Sequence, residues 1–271
     1  MPPVPYRLGF AVKVLGAPTP LKEADRRRWQ SEPHLRHSIE LLHGIWDHLE
    51  RIGVRMYRMS SNVIPYGTHP DLPQFDYRRQ IEECGPALVE LGARARALGL
   101  RLSLHPGQYT VINGPEERLR DGSLAELEAG AMLLDAMGCG PDACVVVHVG
   151  GRYGEPAAAI DRWASAWERL TDRARARLAL ENDERLFHTG DVLELHRRTG
   201  VRVVLDWHHA RILPAPGLTA ADALAAAMAT WSDGVRPKVH LSSPRVLSVS
   251  RRCSEITSQA EKKSSQLDAA A

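Results

Sequence analysis

The chain has 271 residues, 44% of them apolar and 25% charged, with a formal net charge of +2 and four cysteines. That length suits one large α/β domain or two small ones, and the charge excess is too small to announce nucleic acid by itself. No run approaches the roughly 18 apolar residues of a membrane span, the first residues lack the apolar stretch of a signal peptide, and no cysteine spacing matches a zinc ribbon or finger, so a cytoplasmic protein with small buried thiols is expected.

Short apolar runs alternate with longer amphipathic stretches. A first strand is predicted over 8–14. Leu35, Ile39, Leu42, Trp46, Leu49 and Ile52 fall at steps of three and four and predict a helix over 34–52, closed by Gly53. A second strand follows at 54–59, a helix at 76–98 closed by Gly99, and a third strand at 100–104. Ser123 reads as the N-cap of a helix that ends at Met137. The fourth strand is 143–149, followed by a helix over 155–176, a short fifth strand at 178–180 and a helix over 191–198 ending at Gly200. Strand six is 201–205, a helix covers 220–231, and strand seven is 239–241. Arginine runs at 26–28 and at Arg173, Arg175 and Arg177 read as solvated helix faces.

Apolar strands without polar alternation, separated by helices, are parallel strands covered by those helices. Seven such repeats point to a barrel or a long doubly wound sheet, and no Gly-x-Gly-x-x-Gly follows the first strand, which counts against a dinucleotide fold. The expected class is α/β, a (β/α)8 TIM barrel over 1–245. Residues 246–271 hold six serines and a Lys262-Lys263 pair but no apolar run of strand quality. They are expected to form a loosely ordered tail, leaving the barrel without a normal eighth strand.

The strand ends carry the chemistry. His105 ends strand three, His148 lies in strand four, and Glu181 ends strand five. Asp206 ends strand six with His209 just beyond, and His240 lies in strand seven. Singly, such a histidine is a core residue and such a carboxylate a helix N-cap. Together, five consecutive strands deliver an imidazole or carboxylate to the rim where barrels place their chemistry. Mixed nitrogen and oxygen donors suit Zn²⁺, Mn²⁺ or Fe²⁺, and six candidate ligands exceed the need of one ion. Two ions about 3.5–4 Å apart serve phosphodiester hydrolysis. The turn Gly107-Gln108-Tyr109 sets an amide and an aromatic ring beside that rim, a pair suited to wedging into a duplex. A metal-dependent sugar isomerase or epimerase on the same barrel, and a damaged-DNA binder that does not cut, are the alternatives.

As a set, these segments resemble the UV damage endonuclease family. The likeness runs from Arg7-Leu-Gly-Phe10 to about Arg245 through Ser60-Ser-Asn62, Leu104-His-Pro-Gly-Gln-Tyr109, Val147-His-Val-Gly-Gly151, Leu180-Glu-Asn-Asp183, Leu205-Asp-Trp-His-His209 and Pro237-Lys-Val-His-Leu-Ser-Ser243. The resemblance implies a barrel related to endonuclease IV and xylose isomerase. It implies a manganese-type cluster that nicks double-stranded DNA immediately 5′ to UV photoproducts and leaves a 3′-hydroxyl. His69, His105, His148, Glu181, Asp206, His209 and His240 would be metal ligands, with Glu181, Lys238 and His240 at the catalytic centre. Lys238 matches a lysine that the family can carry carboxylated. Gln108 and Tyr109 match the pair that probes the lesion, and Phe10 stands where a family aromatic lies near the DNA. A monomer needing no protein partner is expected. Family members continue past strand seven with a further histidine and a strand ending in a metal-binding glutamate, and 246–271 does not match that pattern.

Overall fold

Steps of three and four apolar residues around Trp46 produce α1 (Leu35–Arg51), whose Leu35, Ile39, Leu42, Ile45, Trp46 and Leu49 are buried. Gly53 follows it with a φ of +70°, a conformation that a side chain would resist. The computed structural model describes residues 7–14, 17, 20–107, 109–232 and 234–242. Residues up to His240 form one compact unit, and 241–271 form a separate one in which only Leu241 and Ser242 are described.

Seven strands, β1 (Gly9–Ala11), β2 (Met56–Met59), β3 (Arg101–Leu104), β4 (Cys144–His148), β5 (Leu178–Glu181), β6 (Arg202–Asp206) and β7 (Val239–His240), lie side by side in chain order. Every pair is parallel. This is an α/β TIM-barrel-like sheet, curled so that β7 faces the early strands. Lys238, just before β7, crosses the interior to donate from Nζ to Ser103 Oγ on β3 at 3.2 Å. At the amino-terminal end Arg101 donates to the Pro237 carbonyl at 3.2 Å. The tail expected at 246–271, and with it the missing eighth strand, lies outside the described residues.

Alternation along each strand separates two cores. Tyr57, Met59, Leu102, Leu104, Val145, Val147, Leu180, Val203 and Leu205 face the helices and join the large core. Cys144, Val146, Ala179 and Val204 face inward and meet Trp231 in a small interior cluster. Trp231 donates to the Val203 carbonyl at 2.7 Å, and the Arg101 and Arg202 guanidinium groups lie 5.3 and 4.7 Å from its ring. This apolar and cationic plug fills the amino-terminal end of the interior. The polar inward positions therefore gather at the other end.

Several predicted helices divide. The span 76–98 forms α2 (Tyr77–Glu83) and α3 (Gly85–Ala97), because Pro86 has no N–H to continue the first ladder. Helix α4 (Glu117–Ala136) begins upstream of Ser123, which is no cap. Ser123 donates to the Leu119 carbonyl and accepts the Val111 N–H at 2.9 Å, tethering the loop after β3. The span 155–176 becomes α5 (Pro156–Trp167) and α6 (Asp172–Arg177), with Thr171 capping the second by accepting the Ala174 N–H. Helix α7 (Thr189–Thr199) starts in a His188–Asp191 capping box. A short helix unforeseen from sequence, α8 (Trp207–Ile212), follows β6 directly, and α9 (Ala220–Ala229) precedes Trp231. The arginine runs face solvent as expected, though 26–28 is not helical and several of the arginines are paired. Asp25 fixes Arg27 through two hydrogen bonds, and Arg173 and Arg177 tie α6 to Glu128 and Asp135 on α4.

Candidate metal centre

Glu181, at the carboxyl end of β5, is the hub of the open end. Its side chain is 2% exposed. Oε2 lies 2.9 Å from His105 Nε2 and 3.8 Å from His148 Nε2, and Oε1 lies 2.6 Å from His240 Nδ1. Two sets of three donors gather with their ligand atoms within 4.8 Å of one another: His105, His148 and Glu181, and Glu181, Asp206 and His209. They share Glu181. The rings pack closely, with centroids 5.1 Å apart for His105 and His148 and 5.8 Å for His148 and His209.

The loops after β5 and β6 hold the second set rigidly. Asn182 accepts the Asp206 N–H at 2.8 Å and donates to the Asp206 carbonyl at 3.2 Å. Asp206 Oδ1 caps α8 by accepting the His208 and His209 N–H groups at 2.8 and 3.0 Å. The N-cap expectation and the ligand expectation thus coexist in one carboxylate, since Oδ2 is left for other work.

Ring tautomers can be read from the partners. His105 Nδ1 meets the Pro106 carbonyl at 3.0 Å, and His209 Nδ1 meets the Asn182 carbonyl at 2.9 Å. A carbonyl only accepts, so each Nδ1 carries the proton. A neutral ring then turns a lone pair on Nε2 toward Glu181 Oε2 in one case and Glu184 Oε2, 3.3 Å away, in the other. Two acceptors face each other comfortably only with a cation between them, either a second ring proton or a metal. Carbonyl-oriented Nδ1–H groups are the usual outer support of metal-binding imidazoles. His148 Nδ1 and His240 Nε2 are buried without a hydrogen-bond partner among the described residues. Burial pushes the titration of His148 and His240 downward against the pull of Glu181, which favours the neutral, ligating ring. Burial alone would raise Glu181. Where His105 and His240 carry a second ring proton, their hydrogen bonds and charges instead hold it well below the usual carboxylate range. The donor set fits a divalent ion of the manganese or zinc type.

Other sequence candidates lie apart. His69 is exposed, accepts the Asp71 N–H on Nδ1 at 3.3 Å, and belongs to neither set. Lys238 is buried beneath the rim at Ser103, and burial lowers its titration. Phe10 packs edge-on against Tyr57 at 5.7 Å, on the helix-facing side of the sheet. Tyr109 is 84% exposed on the loop after β3, while Gln108 lies outside the described residues. Glu184 escaped the sequence reading. Asp183 accepts the Arg185, Leu186 and Phe187 N–H groups, and the resulting tight turn brings the Glu184 carboxylate to His209. An acidic residue three positions after Glu181 in the same loop was the available signal.

Fold and site together define an α/β barrel with an imidazole–carboxylate cluster at its carboxyl-terminal mouth. A profile of the family described as UV-endonuclease UvdE matches residues 23–270, and the chain belongs to that family. It is 30% identical over 216 residues to the UV DNA damage endonuclease of Bacillus velezensis, an alignment covering 79% of this chain and 65% of the relative. The chain thus spans just under two thirds of the length of that relative. The crystal structure of SacUVDE superposes with a TM-score of 0.77 at 27% identity, covering 89% of this chain and 82% of that one. A D-psicose 3-epimerase structure superposes at 0.54 with 13% identity, covering 86% and 72%, a likeness of fold alone.

Proposed function

We propose that the protein is a metal-dependent DNA repair endonuclease that nicks the backbone of duplex DNA immediately 5′ to UV photoproducts. Two donor sets sharing the buried carboxylate of Glu181, in a chain of this family, carry the reading. His105, His148 and Glu181 would hold one divalent ion, and Glu181, Asp206 and His209 a neighbouring one, with Mn²⁺ the expected metal and His69 and His240 further ligands. Bound ions would supply an activated water and stabilise the leaving oxygen.

The chain's own residues do the rest. Pro106 and Asn182 carbonyls fix the orientation of two imidazoles. Glu181 keeps His105 and His240 in place as an anion. Lys238, beneath the rim, adds positive charge or a carboxylated donor to the catalytic centre. Tyr109 projects from the rim, where its ring would stack inside the duplex beside Gln108, with Phe10 near the DNA. The active species is expected to be a monomer.

The experiment offers Mn²⁺-loaded protein a UV-irradiated duplex and an undamaged one, with EDTA as control. Expected are nicks that need both lesion and metal and leave a 3′-hydroxyl. Equal cutting of both duplexes, or none of either, sinks the proposal. Lesion-selective binding without a nick would instead mark a damaged-DNA binder.

A further inference from the structure

Alternation in β2 assigns Arg58 a place that no ligand argument uses. Tyr57 and Met59 are fully buried on the helix-facing side. Met56 points inward, its Sδ 4.0 Å from Lys238 Nζ. Arg58 therefore also points inward, about 6.6 Å nearer the mouth than Met56 by the rise of a strand. Its register neighbours are Ala11 on β1 and Ser103 on β3, both small, and the Ser103 hydroxyl already accepts from Lys238. Arg58 Nε is buried without a partner, and among the described residues the guanidinium makes no hydrogen bond or ion pair. Of its three guanidinium nitrogens, Nε is the one covered without a partner. Other inward arginines behave differently: Arg101 and Arg202 donate to backbone carbonyls and lie over Trp231.

A half-buried guanidinium with idle donors beside a donor cluster is costly unless an anion completes it. Glu181 and Asp206 lie within electrostatic reach but accept nothing from it. The geometry points to Arg58 as a substrate-binding residue whose guanidinium fork takes the non-bridging oxygens of the scissile phosphodiester. This rests on the nuclease reading above. An arginine suits the task because its planar fork matches two oxygens at once, whereas a lysine offers only a point charge.

The test uses Arg58→Met and Arg58→Lys in the Mn²⁺-loaded protein, with manganese per chain measured throughout. Two readouts are taken: single-turnover nicking of a UV-irradiated duplex, and paramagnetic relaxation of the ³¹P signal of dimethyl phosphate, the simplest phosphodiester. Arg58→Met is expected to lose about a hundredfold in nicking rate, the scale of losing one oxyanion donor, at unchanged manganese content. Arg58→Lys should recover only part of it. Most of the ³¹P relaxation should vanish in Arg58→Met. Its melting temperature should equal or exceed that of the parent, because an uncompensated cation has been removed, so misfolding is excluded directly. Nicking within about twofold of the parent, with undiminished ³¹P relaxation, overturns the assignment while leaving the nuclease reading intact. A parent that does not nick, yet relaxes dimethyl phosphate in an Arg58-dependent way, overturns the nuclease reading and leaves Arg58 a phosphodiester-binding residue.

Discussion

Glu181 holds three imidazoles within 3.8 Å while almost fully removed from water. Replacing it with glutamine keeps the shape and removes the charge that both donor sets share. Glu181→Gln should retain less manganese per chain than the parent after dialysis, measured by elemental analysis, and an unchanged content would show that the donor sets are not metal sites. His148 and His240 give a pH dependence with a defined sign. Both titrate below the ordinary 6.5 because they are buried, so their contribution to stability is complete above that value. It is lost as pH falls from about 6.5 through their folded-state values, because the unfolded chain takes up those protons first. The melting temperature of metal-free protein should therefore drop between pH 7 and pH 5, and His148→Gln should flatten that drop. A parent curve level across this range would contradict the assignment. The residues missed from sequence share one cause. Arg58 and Glu184 acquire meaning only from facing direction and from a turn, and neither is visible until strand parity and the Asp183 hydrogen bonds are known.

At the level of helices and strands, glycines mark where the outer layer is tight and where it is slack. A Cβ on Gly92 of α3 would sit 1.7 Å from the Met137 carbonyl oxygen at the end of α4, so the two helices must separate to admit it. Gly122 on α4 has nothing within 4 Å of the same added atom. Gly92→Ala should destabilise by about 1–3 kcal/mol or more, as overpacking does. Gly122→Ala should stabilise by about 0.5–1 kcal/mol through helix propensity. Urea denaturation midpoints moving in the same direction for both would refute this account. Strand positions were legible because apolar runs bounded by glycine have few other readings. Gly53, Gly99 and Gly200 follow three helices as expected and Gly138 follows a fourth, each with positive φ. Helix continuity was less legible, since amphipathic spacing persists across the breaks at Cys84 and at Thr171 while Pro86 and a threonine cap interrupt the backbone.

For the whole molecule, the candidate ligands come from β3, β4, β5, β6 with its following turn, and β7. A bound ion would add a cross-link between these strands to the Lys238–Ser103 and Glu181–His240 contacts that already cross the interior. Metal that binds the folded chain alone stabilises it by about 2.7 kcal/mol at a hundredfold excess over Kd. Calorimetry should show the melting temperature rising with Mn²⁺ and falling with EDTA, and this response should shrink in Glu181→Gln. Indifference to both additives would disconnect the cluster from metal. The fold class was readable because seven strand–helix repeats admit few arrangements. The placement of His69 away from both donor sets was not, since a loop residue has no periodicity to fix it.

The chain-order sheet has a consequence for synthesis. Ribosomes deliver a protein from its amino terminus, and early segments begin to organise before later ones emerge. His105, His148 and Glu181 appear in that order on adjacent strands, so the residues of the first chelating trio are all synthesised before β6 and β7. Asp206 and His209 then join through the Asn182 clasp, and His240 reaches Glu181 last. Metal supply during translation, rather than only afterwards, would bear on how much of this protein reaches its native form.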